Sequence, residues 1–171
     1  MENNEFYFSV PDLKKKEAIV NTLLENFVRA REKANCATNA QGFDEDVNLY
    51  VSHLLYAISM PNYTSITEQY ISLHAPEVRV LADMAEDRYL KYFIYKVNAD
   101  NLFIHLGIFQ DLSFRKHEKA IHEDTASYTQ YAQEFYEQAA ELNKKIYRRK
   151  TAISDVLSKL AHMLPSYINA L

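Results

Sequence analysis

The tightest constraint on this chain is a stripe of apolar residues near its C-terminus: Ala132, Phe135, Ala139, Leu142, Ile146, Ile153, Val156, Leu160 and Met163. Steps of three and four alternate, Arg149 fills the one vacant place, and no Gly or Pro intervenes before Pro165. That alternation marks a helix laying one seam against other helices. As one helix over about 124–164, the segment would form a rod of roughly 60 Å at ~1.5 Å per residue. A compact chain of this length has a radius of gyration near ~15 Å, so the rod would overhang its own body. The overhang predicts self-association as a homodimer, or docking of another protein, through Phe135, Leu142, Ile146, Arg149, Ile153, Val156 and Leu160. A charged residue within such a seam either fixes register or reaches water from under its own apolar stem.

The rest of the chain extends the helical pattern. Only two of the 171 residues are glycine, where average usage is about 7%. Long helices need few special turns, and a nucleotide-cradling loop needs several glycines. Ser9, Pro11 and Asp12 predict a helix start, with a stripe running to about Asn35 and a loop through Gly42. Val47, Tyr50, Val51, Leu54, Leu55 and Ile58 mark a second helix from Asp44, ended by Pro61. Ser65 and Glu68 fit a capping box opening a short helix to about Leu73. Pro76 and Glu77 open another, whose stripe of Val78, Leu81, Ala85, Tyr89 and Tyr92 stays in phase to Lys96.

Between Arg88 and Phe109 the β-branched and aromatic content also suits a β-hairpin, turning near Asn98 to Asn101. The in-phase stripe and the spacing of Leu102, Leu106 and Phe109 favour two helices. The residues at 113–123 read as a charged connector. The expected architecture is therefore all-α: a single domain over 1–171, a helical bundle of five to six helices with a long C-terminal helix.

Function classes are narrowed mostly by exclusion. A net charge of −4 speaks against nucleic acid as the primary partner. The basic run of Lys144, Lys145, Arg148, Arg149 and Lys150 spreads around a helix instead of lining one face. No apolar run is long enough to span a membrane, and Met1 to Val10 lacks the pattern of a secretory leader. With the single Cys36, which excludes an intrachain disulfide, this fits a cytoplasmic setting. No Glu-x-x-His or His-x-x-x-His pair exists, and Glu118 with His122 reads as a solvated pair, so no metal or cofactor is implied. Cys36 lies toward the C-terminal end of its helix, where a thiol is not activated. Phosphate loops, nucleophile elbows and dinucleotide fingerprints are missing from the sequence. A non-catalytic role is favoured.

One polar cluster breaks the apolar run from Phe93 to Phe109: Asn98, Asp100, Asn101 and His105. Buried polar groups must be hydrogen-bonded. The cluster is thus either a satisfied helix junction or a ligand pocket built on Asn98, Asp100 and His105 beside some of the thirteen tyrosines. Two functional readings follow: a self-associating helical interaction module, and a small-molecule or cofactor-binding bundle.

Overall fold

The computed structural model describes residues 13–36, 44–109 and 124–171. The helix start at Ser9 to Asp12, the loop through Gly42 and the charged stretch 113–123, with Glu118 and His122, lie outside the described residues. Among those described the fold is all-α, with seven α-helices and no strand. The segment 88–109 is helical, so the hairpin alternative falls away. The chain divides into two compact units, Met1–Gln69 and Tyr70–Leu171.

The first unit packs α1 (Leu13–Lys33) against α2 (Asp44–Ile58), followed by the short α3 (Pro61–Thr67). Lys16, Val20, Phe27 and Arg31 form the buried stripe of α1, and Val47, Val51 and Leu54 that of α2. Arg31 is fully buried and donates to Asn48 Oδ1, so the charge enters the interface with a partner from the facing helix. Asn35 closes α1 in the left-handed region (φ 50°). Asn35 N–H donates to Glu32 O at 3.1 Å and Cys36 N–H to Arg31 O at 2.9 Å, which together make a Schellman cap. Pro61, at the start of α3, opens a helix one turn before the expected capping box. That box does not form: the Ser65 hydroxyl donates to Asn62 O instead. The short helix expected here is thus present but begins earlier, and the count exceeds five to six because the C-terminal segment forms two helices.

The second unit contains α4 (Ala75–Met84), α5 (Arg88–Ile104), α6 (Thr125–Tyr147) and α7 (Ala152–Ile168). The stripe read as continuous from Val78 to Lys96 is interrupted. Ala85 turns extended, and the Asp87 carboxylate accepts from Tyr89 N–H to cap a new helix. Along α5 the residues Ile94–Asp100 and Leu102–Ile104 are all buried. Burial on every side identifies α5 as the central helix of this unit. It continues into a π-helical turn over His105–Phe109. There an added Cβ on Gly107 would meet the Leu171 side chain at 2.7 Å, so the missing side chain admits the chain terminus.

The long C-terminal rod is two helices. Arg148 adopts the left-handed conformation (φ 54°, ψ 26°) and ends α6, and Thr151 caps α7 through a reciprocal box with Ser154. Gln133 Nε2 donates to Ala161 O at 2.8 Å and the Thr151 hydroxyl to Asn143 Oδ1 at 2.5 Å, so α7 folds back antiparallel along α6. At 23 residues α6 is roughly 35 Å long. Pro165 does not end the last helix. The chain passes through it to Ile168, with a kink at Met163 (φ −114°, ψ 15°) where the proline removes a donor.

Candidate functional site

The seam residues report how this hairpin uses the apolar stripe. Phe135, Val156 and Leu160 are buried within the unit, Leu142, Ile146 and Ile153 are half-buried, and Arg149 is exposed in the turn. The face expected to bind a partner is largely covered by the chain's own helices. A 3-4 stripe does not distinguish a helix that meets a second copy from one that meets its own neighbour.

Asn98, Asp100 and His105 lie on α5 and its π turn. Asn98 accepts from Ser72 N–H at 2.9 Å and donates to Tyr70 O and Ile94 O, both at 2.8 Å. It therefore ties the segment before α4 onto α5 as a satisfied junction. Asp100 is two residues on, about 200° around the helix at 3.6 residues per turn. Its Oδ2 accepts from Lys96 Nζ at 2.6 Å and its Oδ1 from the Tyr136 hydroxyl at 2.8 Å. His105 is half-buried, with its ring 5.2 Å from that of Phe109. Asn98 and Asp100 therefore point to different sides of α5 and take different partners. The sequence reading omitted Lys96 and Tyr136 from the cluster. The i, i+4 spacing of Lys96 and Asp100 inside an apolar run was the available signal for the first; nothing local pointed to Tyr136 on α6.

Two other features of the second unit bear on function. Beside α6 and α7 runs an open groove of about 420 Å³, lined by Gln130, Gln133, Glu134, Glu137, Ala161 and His162. Glu137 Oε2 and Ser158 Oγ are buried and have no hydrogen-bond partner among the described residues. Glu134 is engaged by Arg79 through two bonds, at 2.9 and 2.7 Å, and this hydrogen bonding holds the guanidinium above its usual pKa.

The second feature is α4 itself. Ala75, Val78 and Ala82 face inward, whereas Val80 is 56% and Met84 75% exposed. Glu77, Val80 and Met84 share one outer stripe at i, i+3 and i+7, and Asp83, Glu86 and Asp87 rim it, all exposed. Lys91 pairs with Asp83 at 2.8 Å, and that hydrogen bond raises the Lys91 pKa. Among the described residues no group of three or more His, Cys, Asp or Glu could hold a metal, and no helix is long and apolar enough to cross a membrane. Comparison with protein families, with curated proteins and with solved structures finds no match.

Proposed function

We propose that the chain is a helical protein–protein interaction module that associates with copies of itself, in a cytoplasmic setting that the lone Cys36 suits. The observation that carries this reading is the outer face of α4, where Val80 and Met84 stand in water within a ring of carboxylates. Apolar side chains clustered inside a polar rim are how contact surfaces are built. The surface differs from the C-terminal seam, which the chain covers itself. Sedimentation velocity at rising concentration tests it: the weight-average mass should climb above that of the monomer and fall back in Met84→Glu. A strict monomer at hundreds of micromolar would remove the reading.

Ligand binding is the second reading, favoured by the unpartnered Glu137 oxygen and Ser158 hydroxyl near the α6–α7 groove. Glu137 suits a small cation. Titration with spermidine should shift amide resonances of Gln130, Gln133 and Glu137 if this holds, and unchanged spectra at millimolar spermidine would exclude such a site for it.

A further inference from the structure

Building on the self-association reading, we propose that copies join head to tail. The basic turn between α6 and α7 of one copy docks on the acidic, apolar outer face of α4 of the next. Lys145, Tyr147, Arg148, Arg149 and Lys150 are all exposed at the end of the α6–α7 hairpin, Tyr147 by 52%. Arg148, Arg149 and Lys150 make no ion pair with any described residue. The outer face of α4 presents the converse chemistry. Glu77, Glu86 and Asp87 are likewise outside every ion pair among the described residues, and they surround Val80 and Met84. Each surface thus has an apolar centre beside charges outside any ion pair among the described residues, acidic at Glu77, Glu86 and Asp87 and basic at Arg148, Arg149 and Lys150.

The two surfaces cannot satisfy each other within one copy. Arg79 pins α4 to Glu134, whereas Tyr147 lies 13 residues further along α6, roughly 20 Å away. Val80 adjoins Arg79 directly. A second copy places one surface against the other with no rearrangement. Two different patches meeting make a heterologous contact, which repeats into a ring or an open chain instead of stopping at a two-fold dimer. A contact centred on three apolar side chains belongs to the small, transient class, below about 1,200 Å² buried. Its charge component weakens with salt, because the screening length falls from ~10 Å at 0.1 M to ~3 Å at 1 M.

Complementary variants provide the test. A turn variant carries Tyr147→Ser, Arg149→Gln and Lys150→Gln; a face variant carries Val80→Gln, Met84→Gln and Glu86→Gln. All six positions are exposed, so both chains keep their cores, which far-UV circular dichroism checks. At low salt the wild type should sediment as species larger than a dimer and return to monomer in molar NaCl. Each variant alone should be monomeric. Their equimolar mixture should form a 1:1 heterodimer and nothing larger, since each contributes one intact surface. If the wild type associates but the mixture stays monomeric, or if either variant alone still associates, the head-to-tail contact is wrong while self-association stands. A wild type that is monomeric throughout overturns both.

Discussion

The Tyr136 hydroxyl on α6 donates a 2.8 Å hydrogen bond to Asp100 on α5, whose other oxygen accepts from Lys96 at 2.6 Å. All three residues are buried. An ion pair in that position is a constraint more than a source of stability. Desolvating both charges offsets most of their attraction, yet removing one of them leaves the other's charge buried without its counter-charge. Either Lys96→Met or Asp100→Leu alone should therefore lower unfolding free energy by about 3–5 kcal/mol. Tyr136→Phe should cost about 1–3 kcal/mol, through the bond Asp100 loses. The triple variant, with the polar set replaced by apolar side chains, should recover most of the single-mutant loss in urea denaturation. Losses that simply add would show that the three do not act as one unit.

Arg148 closes α6 in the left-handed region, where an L side chain crowds the following carbonyl. Glycine takes that conformation without the clash but has more freedom to lose on folding. The difference leaves Arg148→Gly more stable by about 1 kcal/mol, a rise in Tm of roughly 2–4 °C for a chain of this length. A lower Tm would mean that the Arg148 side chain stabilises the turn by more than its backbone costs. The same substitution removes a cation from the proposed docking turn, so association should weaken while the fold strengthens. The two readouts moving in opposite directions would separate contact from scaffold.

That turn also shows what the sequence could and could not disclose. The seam from Ala132 to Met163 was legible because burial imposes a helical period on residue type. Its break at Arg148 was not, because the seven-residue phase carries across the turn from Arg148 to Thr151 without a slip. The cue was polar: Thr151 and Ser154 stand three apart, and their hydroxyls satisfy the free amides of a helix start. Ala85 hides a similar break, marked only by the capping carboxylate of Asp87. That Asn98 needs partners was recognisable, but it lies inside an unbroken helix and holds Ser72 and Tyr70 instead of capping a following helix. The partnership of Asp100 with Tyr136 was not recognisable, as it joins positions 36 apart. The outer face of α4 was legible as helix but not as a surface, since exposure depends on which neighbours are present.

In the first unit, burial lowers the pKa of His53, and the nearby Lys16 charge lowers it further. A base whose folded pKa lies below its unfolded value near ~6.5 is bound by more protons in the unfolded state. Its stabilising contribution is complete above that unfolded value. It is lost as pH falls through the window down to the folded pKa. Unfolding free energy should thus decline between neutral pH and mildly acidic pH, before carboxylates titrate. His53→Gln should flatten that decline without abolishing acid unfolding at lower pH. An identical slope in the variant would assign the dependence to other groups.

Gly107 offers a sharper steric test at the far end of α5. A methyl group there would lie 2.7 Å from both Cβ and Cδ1 of Leu171, a separation that ordinary packing does not permit. Alanine is otherwise favoured in a helical backbone, by up to about 1 kcal/mol over glycine. Two effects therefore compete in Gly107→Ala. Overpacking of a close contact typically costs about 1–3 kcal/mol, so the clash should win and the variant should be destabilised. Relief comes from displacing the last residue, which predicts faster amide exchange at Ala170 and Leu171. Deleting Leu171 removes the clashing side chain, and in that background Gly107→Ala should become neutral or stabilising. A reversal of sign between the two backgrounds isolates the terminal contact, because helix propensity is the same in both.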